Sequence, residues 1–528
     1  MNLFGTLNTA TTGLGVNEMA LQTTSHNIAN ANNPYYSRQR VDIETMPAMH
    51  FAGVGDIGMG ARAGSVQRIS DSFVQGQLNQ VGGVLNSYSE RANVLGQLEG
   101  YYNEPSSTGI LSQIDKMNAA WTNFANDPSV SGIQTTVVGA TQTVANSINQ
   151  LANNVQALQS NTVSTVAKNA MDFNQTINQL DTLNKQIYNM SQNGDQPNDL
   201  LDTRDQIIQK LSSMADTTTT IDQYGRATVA LNMPGTDGKA TPTPILDADG
   251  VKGTLGVVDA KAAGVITATT DVNSENSALA VPGNGKAGDV VFVANNTKTA
   301  TPVTISSGTI QGDQQALSDL SDQMGKLNKF AYQLATATNT LMSANGVSAD
   351  KLMFTFKGVT GQANPQPAYD PKVNYAANLQ VNATIANNPS QLQAGVGTNP
   401  DAGDGKLAQA IAHLQNTKLA DPASGKGLTL SADNLSFVDD ATGATVSGMY
   451  NDIVTQNGIV TQAANNNAQT QLALLQQVQA KQQSISGVNM NEEMSNVIKF
   501  QQGFQANAKM ISVVNEMLDT LINRTGVN

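Results

Sequence analysis

The sequence predicts a mainly α-helical protein with all-β domains inserted into it, its two ends pairing as halves of one helical bundle. Three observations carry this. Both termini repeat apolar or small residues at alternating three- and four-residue spacing, which lines one face of a helix and is the spacing of a coiled coil. Residues 131–190 keep a helical period almost without a break. Residues 217–310 and 346–404 instead hold Thr runs, Gly, Asp, Pro and Asn turns, and short β-rich pieces, the pattern of inserted strands.

The first stripe runs Leu3, Leu7, Ala10, Leu14, Leu21 and Ile28, with Asn17 and Thr24 filling the gaps. Only Glu18 is charged within residues 1–37. The last stripe runs Val497, Phe500, Phe504, Ile511, Val514, Leu518 and Leu521, from about Met494 onward. Such stripes can pack within their own domain. Their place at both extremities, and the near absence of charge on the first, point to ends that join other copies or other proteins.

Between them the elements follow in order. Residues 1–30 read as a helix, broken by Asn32-Asn33-Pro34 because Pro disfavours helix in the residue before it. Residues 38–70 read as irregular and extended, with glycines at 53, 55, 58, 60 and 64. Helices follow from Ser72 and over 109–126, and Asp127-Pro128 marks a turn. In 131–190, Val137, Val144, Leu151 and Leu158 stand seven apart, and Phe173, Ile177, Leu180 and Ile187 continue the run. This predicts a long helical hairpin or coiled coil. A shorter helix covers 199–214. The first β insertion shows strands near Ala227–Leu231, Gly256–Asp259 and Asp289–Val293. Helix returns at 313–345. The second insertion has strands near Leu352–Phe356 and Leu379–Val381. A helix at 405–416 and a hairpin-like stretch at 427–446 lead into a long helix over 447–483. The expected domains are 1–45 with 487–528; 46–216 with 311–345 and 405–486; 217–310; and 346–404.

Composition narrows the function. A chain of 528 residues is too long for one core. With 28 basic and 41 acidic residues the net charge is −13, which disfavours nucleic acid and anionic membrane surfaces. Charged residues are 13% of the chain, about half the usual share. Asn, Gln, Ser and Thr replace them, which suits surfaces that neighbours cover, because amides pair without desolvating ions. There is no Cys and only three His, so no thiolate metal site and no His-rich one is expected, and no cofactor. No basic region followed by an apolar core opens the chain, and no run approaches the roughly 18 apolar residues of a membrane span. If exported, the chain is expected to travel without a cleaved signal.

The chemical motifs are weak. Gly53-Val54-Gly55-Asp56-Ile57-Gly58 matches the dinucleotide fingerprint, but Pro47 interrupts the approach and strand-like residues follow it, so it reads as a glycine-rich loop. Asp199, Asp202 and Asp205 cluster around Arg204. They read as acids complementing a helix dipole, with Asn198 or Asp199 as N-cap, rather than as a metal site. Asp247-Ala248-Asp249-Gly250 reads as a β-turn. Glu492-Glu493 reads as dipole-complementing charge, and His26 as capping or solvating a helix end. No catalytic constellation is visible.

Three stretches carry a resemblance. Ser25–Gln39, with Asn27, Ala29, Asn30, Pro34, Tyr36, Ser37 and Arg38, resembles the N-terminal signature of the bacterial flagellar rod, hook and hook-associated proteins. Ile57–Phe73, with Gly58, Gly60, Arg68 and Asp71, is similar to the glycine-rich segment that follows in that family. Ser486–Asn489, Glu492-Glu493-Met494 and Phe500–Ala508 resemble its C-terminal signature. Gln196–Gln206, with Asn198, Asp199, Asp202, Arg204 and Asp205, is similar to a stretch typical of its hook-associated branch. These signatures and the helical pattern between them cover about half the chain; the β insertions match nothing.

The resemblance implies an extracellular hook–filament junction subunit of the flagellum. The terminal helices would form an inner coiled-coil domain, with the long-helix bundle and the β modules successively outward. It implies self-assembly into a ring or helical layer against the hook protein and the next hook-associated protein. It also implies an export chaperone and the type III export apparatus, with ends that order only on assembly. The family usually has Gly where Tyr35 stands, so a type I turn or extended chain is expected at Asn33–Tyr36 in place of a type II turn. The expected function is thus a non-enzymatic structural adaptor. The alternatives are a hook or distal-rod protein or, from another class, a secreted adhesin or surface hydrolase working through its β insertions.

Overall fold

The computed structural model describes residues 3–51, 55–234, 240–259, 265–266, 275–276, 285–295, 300–359, 368–424 and 426–524. Its backbone is a set of long helices to which small antiparallel sheets are attached. Helix α1 (Leu3–Ala29) opens the chain. Strands β1 (Gln39–Thr45) and β4 (Ala61–Arg68) then pair antiparallel, with a register shift at Asp42/Ile43. Beyond them β2 (Met49–Phe51) pairs with β3 (Gly55–Ile57). Residues 38–70, expected to be irregular and extended, form a ribbon of two hairpin segments. Paired positions Gln39–Arg68 and Val41–Val66 share one face of the ribbon.

Helix α2 (Ser72–Tyr102) starts at Asp71, whose carboxylate accepts from the N–H groups of Phe73 and Val74. Helix α3 (Ile110–Asn126) ends at the expected Asp127 turn. Helix α4 (Ser131–Ser191) is one unbroken helix of 61 residues, about 90 Å long at 1.5 Å per residue. It is a single rod, and no hairpin interrupts it. Val137, Val144, Leu151 and Leu158 on its first half are all buried, as are Phe173, Ile177, Leu180 and Ile187 on its second. The two halves serve two cores. The first half packs with α3 and with α6 (Thr309–Ala344) around Trp121, Phe124 and Phe330. The second packs with α5 (Asn198–Met214) and the first β insertion around Phe173, Leu211, Val229 and Val257.

That insertion holds a four-stranded sheet in sequential order: β5 (Thr218–Ile221), β6 (Ala227–Pro234), β7 (Ala240–Asp247) and β8 (Gly250–Val251). A second sheet contains β9 (Gly253–Val258), β10 (Val265–Ile266), β11 (Glu275–Asn276), β12 (Val290–Ala294) and β13 (Ala300–Pro302) in the order β11-β10-β9-β12-β13. The second insertion pairs β14 (Phe354–Phe356) with β15 (Leu379–Val381) and carries the short helices α7 (Tyr375–Asn378) and α8 (Ala383–Asn387).

After α9 (Lys406–His413) the expected hairpin at 427–446 is reduced to isolated bridges, Leu419 with Ala444 and Leu430 with Phe437. The side chains of Ser431, Asp433 and Asp440 take the local backbone N–H groups there, and such bonds compete with a strand ladder. Helix α10 (Val446–Ser486) follows. A break at Gly487–Asn489 precedes α11 (Met490–Asp519), capped by the Asn489 side chain.

Helices α1 and α11 lie antiparallel and approach closely. A Cβ added at Gly13 would fall 3.0 Å from Asn507 Nδ2, and one at Gly503 2.5 Å from Asn17 Oδ1. The fully buried residues of α1 are Ala10, Val16, Ala20, Thr23, Thr24 and Asn27. Small side chains thus mark the line of closest approach. Leu3, Leu7, Leu14, Leu21 and Ile28 flank it half-buried, as do Val497, Phe500, Phe504, Ile511 and Leu518 on α11. Val514 is buried and Leu521 exposed.

Candidate functional site: the junction of the terminal helices with the body

Most of the signature residues converge where the end of α1, the start of β1, the start of α5 and the start of α11 meet. Asn27 sits at the centre, 1% exposed. Its Nδ2 donates to Gln39 O (2.8 Å) and to Glu493 Oε2 (3.1 Å), and its Oδ1 accepts from Gln39 N (2.9 Å) and the Tyr36 hydroxyl (2.8 Å). All the hydrogen-bonding capacity of this amide is directed at three residues, two in the stretch Tyr36–Gln39 and one on α11, as a buried polar group requires.

The turn that brings Tyr36 there is closed by Tyr36 N donating to Asn33 O (3.2 Å), with Pro34 and Tyr35 at its corners. Among the described residues only Asn103 and Asn434 are non-glycines with positive φ, so this is not a type II turn. Tyr35 fits without a glycine's freedom. The Tyr36 phenol is pushed well above its ordinary range by burial first, then by the carboxylates of Asp199, Asp202 and Glu493, so it stays a neutral donor. The ring edge of His26 packs on it, Nδ1 3.1 Å from the hydroxyl. His26 therefore holds Tyr36 with its ring, and only its backbone carbonyl caps the helix end, accepting from Asn30.

Arg38 links the two ends of the chain. Its Nη2 donates to Glu492 Oε1, and its Nε lies 2.7 Å from Glu493 Oε1. Its backbone N–H donates to Ser486 O (2.9 Å), at the end of α10. Glu493 is 1% exposed. Glu492 and Glu493 are thus not simply dipole-complementing charges; Glu493 is a buried partner of Arg38 and Asn27.

The acids of α5 meet the same site from the body. Asp202 accepts from Ser37 N (3.0 Å) and from Arg68 Nη1 (2.9 Å), and Asp205 accepts from the same Nη1 (2.7 Å). Asp199 accepts from Gln39 Nε2 (2.9 Å). Arg204 is buried, bonded to Asp205 and to the carbonyl of Gly225 at the edge of the first β insertion. The expected capping role goes elsewhere. Pro197 is the N-cap of α5, and Asn198 instead donates to Val66 O of β4 (2.7 Å). Of the three acids only Asp199 lies in the first turn; Asp202 and Asp205 clamp Arg68.

Of the signature residues, Asn27, Tyr36, Ser37, Arg38, Asn198, Asp199, Asp202, Arg204 and Asp205 join this network. Ala29 is exposed, Asn30 bonds only locally, and Pro34 forms the turn. The network also includes Gln39, Arg68 and Glu493, which lie within the resembling stretches Ser25–Gln39, Ile57–Phe73 and Glu492–Met494. For the first two, strand alternation offered a signal, Gln39 standing two positions from the inward Val41.

The remaining motifs are structural. Gly55–Ile57 is a strand with no helix following it, which excludes a dinucleotide loop; residues 52–54 lie outside the described set. Asp247 turns the chain between β7 and β8 by accepting from Asp249 N. Among the described residues no three His, Asp or Glu side chains are grouped to hold a metal ion, and no helix is long and apolar enough to cross a membrane.

A family model described as the flagellar hook-associated protein FlgK helical domain matches residues 95–354, and one described as the flagellar basal body rod FlgEFG protein C-terminal matches residues 481–524. Flagellar hook-associated protein 1 of Bacillus subtilis is 28% identical, over 99% of this chain and 98% of that one. Its counterpart in Escherichia coli is 24% identical over 98% and 99%. The solved structure of the flagellar hook junction protein FlgK from Burkholderia pseudomallei aligns with 78% of this chain and all of its own, with a TM-score of 0.56 and 15% identity. That likeness speaks for the fold.

Proposed function

This chain belongs to the flagellar hook-associated protein 1 (FlgK) family, and on that premise we propose that it is the structural subunit joining hook to filament in a bacterial flagellum. The single observation that carries the mechanism is the Asn27–Arg38–Glu493 contact. It ties the first and last helices to each other and, through Ser37–Asp202, to the body. A subunit at such a junction must transmit torque from its assembling ends to its outer domains. A network of buried, charge-assisted bonds resists that load better than an apolar contact, because it fixes direction as well as distance.

In this reading the paired ends polymerise. Leu3, Leu7, Leu14, Leu21 and Ile28 with Val497, Phe500, Phe504, Ile511, Val514, Leu518 and Leu521 are the seam residues. They hold the two helices together and present their edges to neighbouring copies, to hook protein and to the next hook-associated protein. The domains follow the same logic: 1–45 with 487–528 assembles, the two-part helical rod carries, and the insertions at 217–310 and 346–404 lie outermost. The chain leaves the cell through the flagellar export apparatus, with a chaperone for its ends and without a cleaved signal, and it does no chemistry.

The test is complementation of a motile bacterium whose own copy is deleted. The full chain should restore filaments on hooks. A chain lacking residues 1–30 should be made and fold its β insertions, yet leave hooks bare. Normal filaments on the truncated chain would overturn the proposal.

A further inference from the structure

We propose that Asn193-Gly194, in the turn after α4, is a site of spontaneous modification at which the folded chain converts Asn193 to aspartate and isoaspartate. In an Asn-Gly pair the glycine nitrogen can attack the amide carbon of the preceding side chain, because no Cβ shields it. The Gly194 N–H gives its proton to water, and its nitrogen bonds to Asn193 Cγ. The Cγ–Nδ2 bond breaks, and Nδ2 takes up a proton and leaves as ammonia, which closes a cyclic imide. Water then opens the ring. Breaking the bond from Gly194 N to Cγ gives aspartate. Breaking the bond from Gly194 N to the Asn193 carbonyl carbon gives isoaspartate, with the main chain routed through the side chain. The reaction consumes water and needs no other reagent.

The chain has four Asn-Gly pairs, and among the three whose Asn is described the fold leaves one open to this reaction. Asn457-Gly458 lies inside α10, where helical bonding fixes the backbone, and Asn457 is 1% exposed. Asn345-Gly346 ends α6. Asn345 is buried, its Nδ2 donates to Leu341 O and Asn434 O (both 2.8 Å), and its carbonyl accepts from Gly397 N (2.9 Å). A Cβ on Gly346 would lie 2.8 Å from the Gly397 backbone, so that turn is packed against a second segment. Asn193 differs in each respect. Residues 192–196 are all exposed. The bonds that hold the turn are local: Asn193 N to Met190 O (3.0 Å), Asn193 Nδ2 to Asn189 O (3.2 Å) and Gly194 N to Ser191 O (3.1 Å). An exposed helix end of this kind opens at far lower free energy than the core, and opening frees the attacking nitrogen and the leaving amide together. Gly194 has a φ of +83°, and nothing stands within 4 Å of a Cβ added there, so its backbone has room to rotate toward the side chain. Either product puts a carboxylate at the C-terminal end of α4, where the helix dipole disfavours an anion, so the modified turn stays open more of the time.

Peptide mapping of the full-length chain, kept folded in warm, mildly alkaline buffer, tests this. The mass of an acid in place of the amide should appear at Asn193 at least roughly tenfold faster than at Asn345 or Asn457. Protein isoaspartate methyltransferase should methylate the Asn193 peptide. In urea strong enough to unfold the chain the three rates should converge, because the three pairs are then alike. Asn193→Gln, whose longer side chain would have to close a larger ring, should leave the same peptide unmodified. Equal rates at the three pairs in the folded chain would overturn the inference. So would an Asn193 that stays an amide in the folded chain while the unfolded chain reacts. Rates that stay apart in urea would mean that local sequence rather than the fold selects Asn193, and acid formed in that peptide of the Asn193→Gln variant would place the reaction at Asn189 or Asn198; each overturns it as well.

Discussion

Asn27 and Glu493 are 466 positions apart in sequence, and the amide of one donates to the buried carboxylate of the other at 3.1 Å. The same carboxylate group faces the Arg38 guanidinium. Removing Glu493 leaves Asn27 and part of Arg38 buried without their partner, and an orphaned buried charge is costlier than the lost bond itself. Glu493→Ala should therefore loosen the terminal pair by about 2–4 kcal/mol. Hydrogen exchange across residues 3–29 and 490–519 should speed up accordingly, while protection in α4 stays as it was. Unchanged exchange in α1 would show that the junction does not hold the pair.

Arg68 is held between two carboxylates, Asp202 and Asp205, in a partly buried setting. Arg68→Met would leave two neighbouring anions facing each other without their shared cation. We expect a loss of about 2–4 kcal/mol, measured by chemical denaturation near neutral pH. Asp205→Asn placed on top of it should recover part of that loss, since one of the two repelling charges is gone. A simple sum of the two single effects would show that the pair is not coupled.

The helical body was legible because its signal is periodic: the residues spaced by seven from Val137 to Leu158 are all buried. The β insertions were legible as composition, though strand order was not, because pairing depends on partners distant in sequence. The ribbon at 39–68 was legible as extended chain but not as paired strands, because its glycines mask a period of two. The junction was half legible. The resemblance pointed to Asn27, Arg38, Asp202, Asp205 and Glu493, but local rules gave Asp202, Asp205 and Glu493 to the helix dipole. A dipole argument looks only along one helix, and these acids answer to cations on other segments. The leucines of α1 were found, yet the closest approach to α11 runs past Gly13 and Gly503, which an apolar-stripe reading passes over.

Two glycines in α6 separate packing from propensity. A Cβ on Gly312 would press into the backbone carbonyl of Ser87 on α2, whereas Gly325 has open space around it. Backbone cannot rotate away as a side chain can. Gly312→Ala should thus cost about 1–3 kcal/mol by overpacking. Gly325→Ala should gain roughly 0.5–1 kcal/mol by reducing the freedom of the unfolded chain. Thermal melts of the two variants should move in opposite directions; shifts of the same sign would refute the assignment.

The terminal pair is two helices with one half-buried seam, while α4 is packed along both halves. Regions with little buried apolar surface open at lower free energy than the global transition. In the isolated subunit, amides of α1 and α11 should exchange at least tenfold faster than those of α4, and the difference should vanish on incorporation into hooks. Equal protection in the free subunit would mean that the ends are complete by themselves.

Asp313 in α6 offers a pH test. Its side chain is fully buried, its Oδ2 accepts from Asn169 Nδ2 at 3.0 Å, and Glu90 of α2 lies near. Burial, reinforced by the Glu90 charge, pushes this carboxyl from an ordinary 3.8 up to about 8. In the folded chain it is therefore protonated at neutral pH, whereas in the unfolded chain it is ionised. The unfolded state binds fewer protons between pH 4 and 8, so this group makes stability fall as pH rises through that window, with the loss complete above pH 8. Asp313→Asn keeps an acceptor for Asn169 and removes the titration. It should be close to neutral near pH 4 and stabilising by a few kcal/mol at pH 9. Denaturation at both pH values, wild type against variant, decides it: an equal effect at the two ends would mean that Asp313 is already ionised in the folded chain.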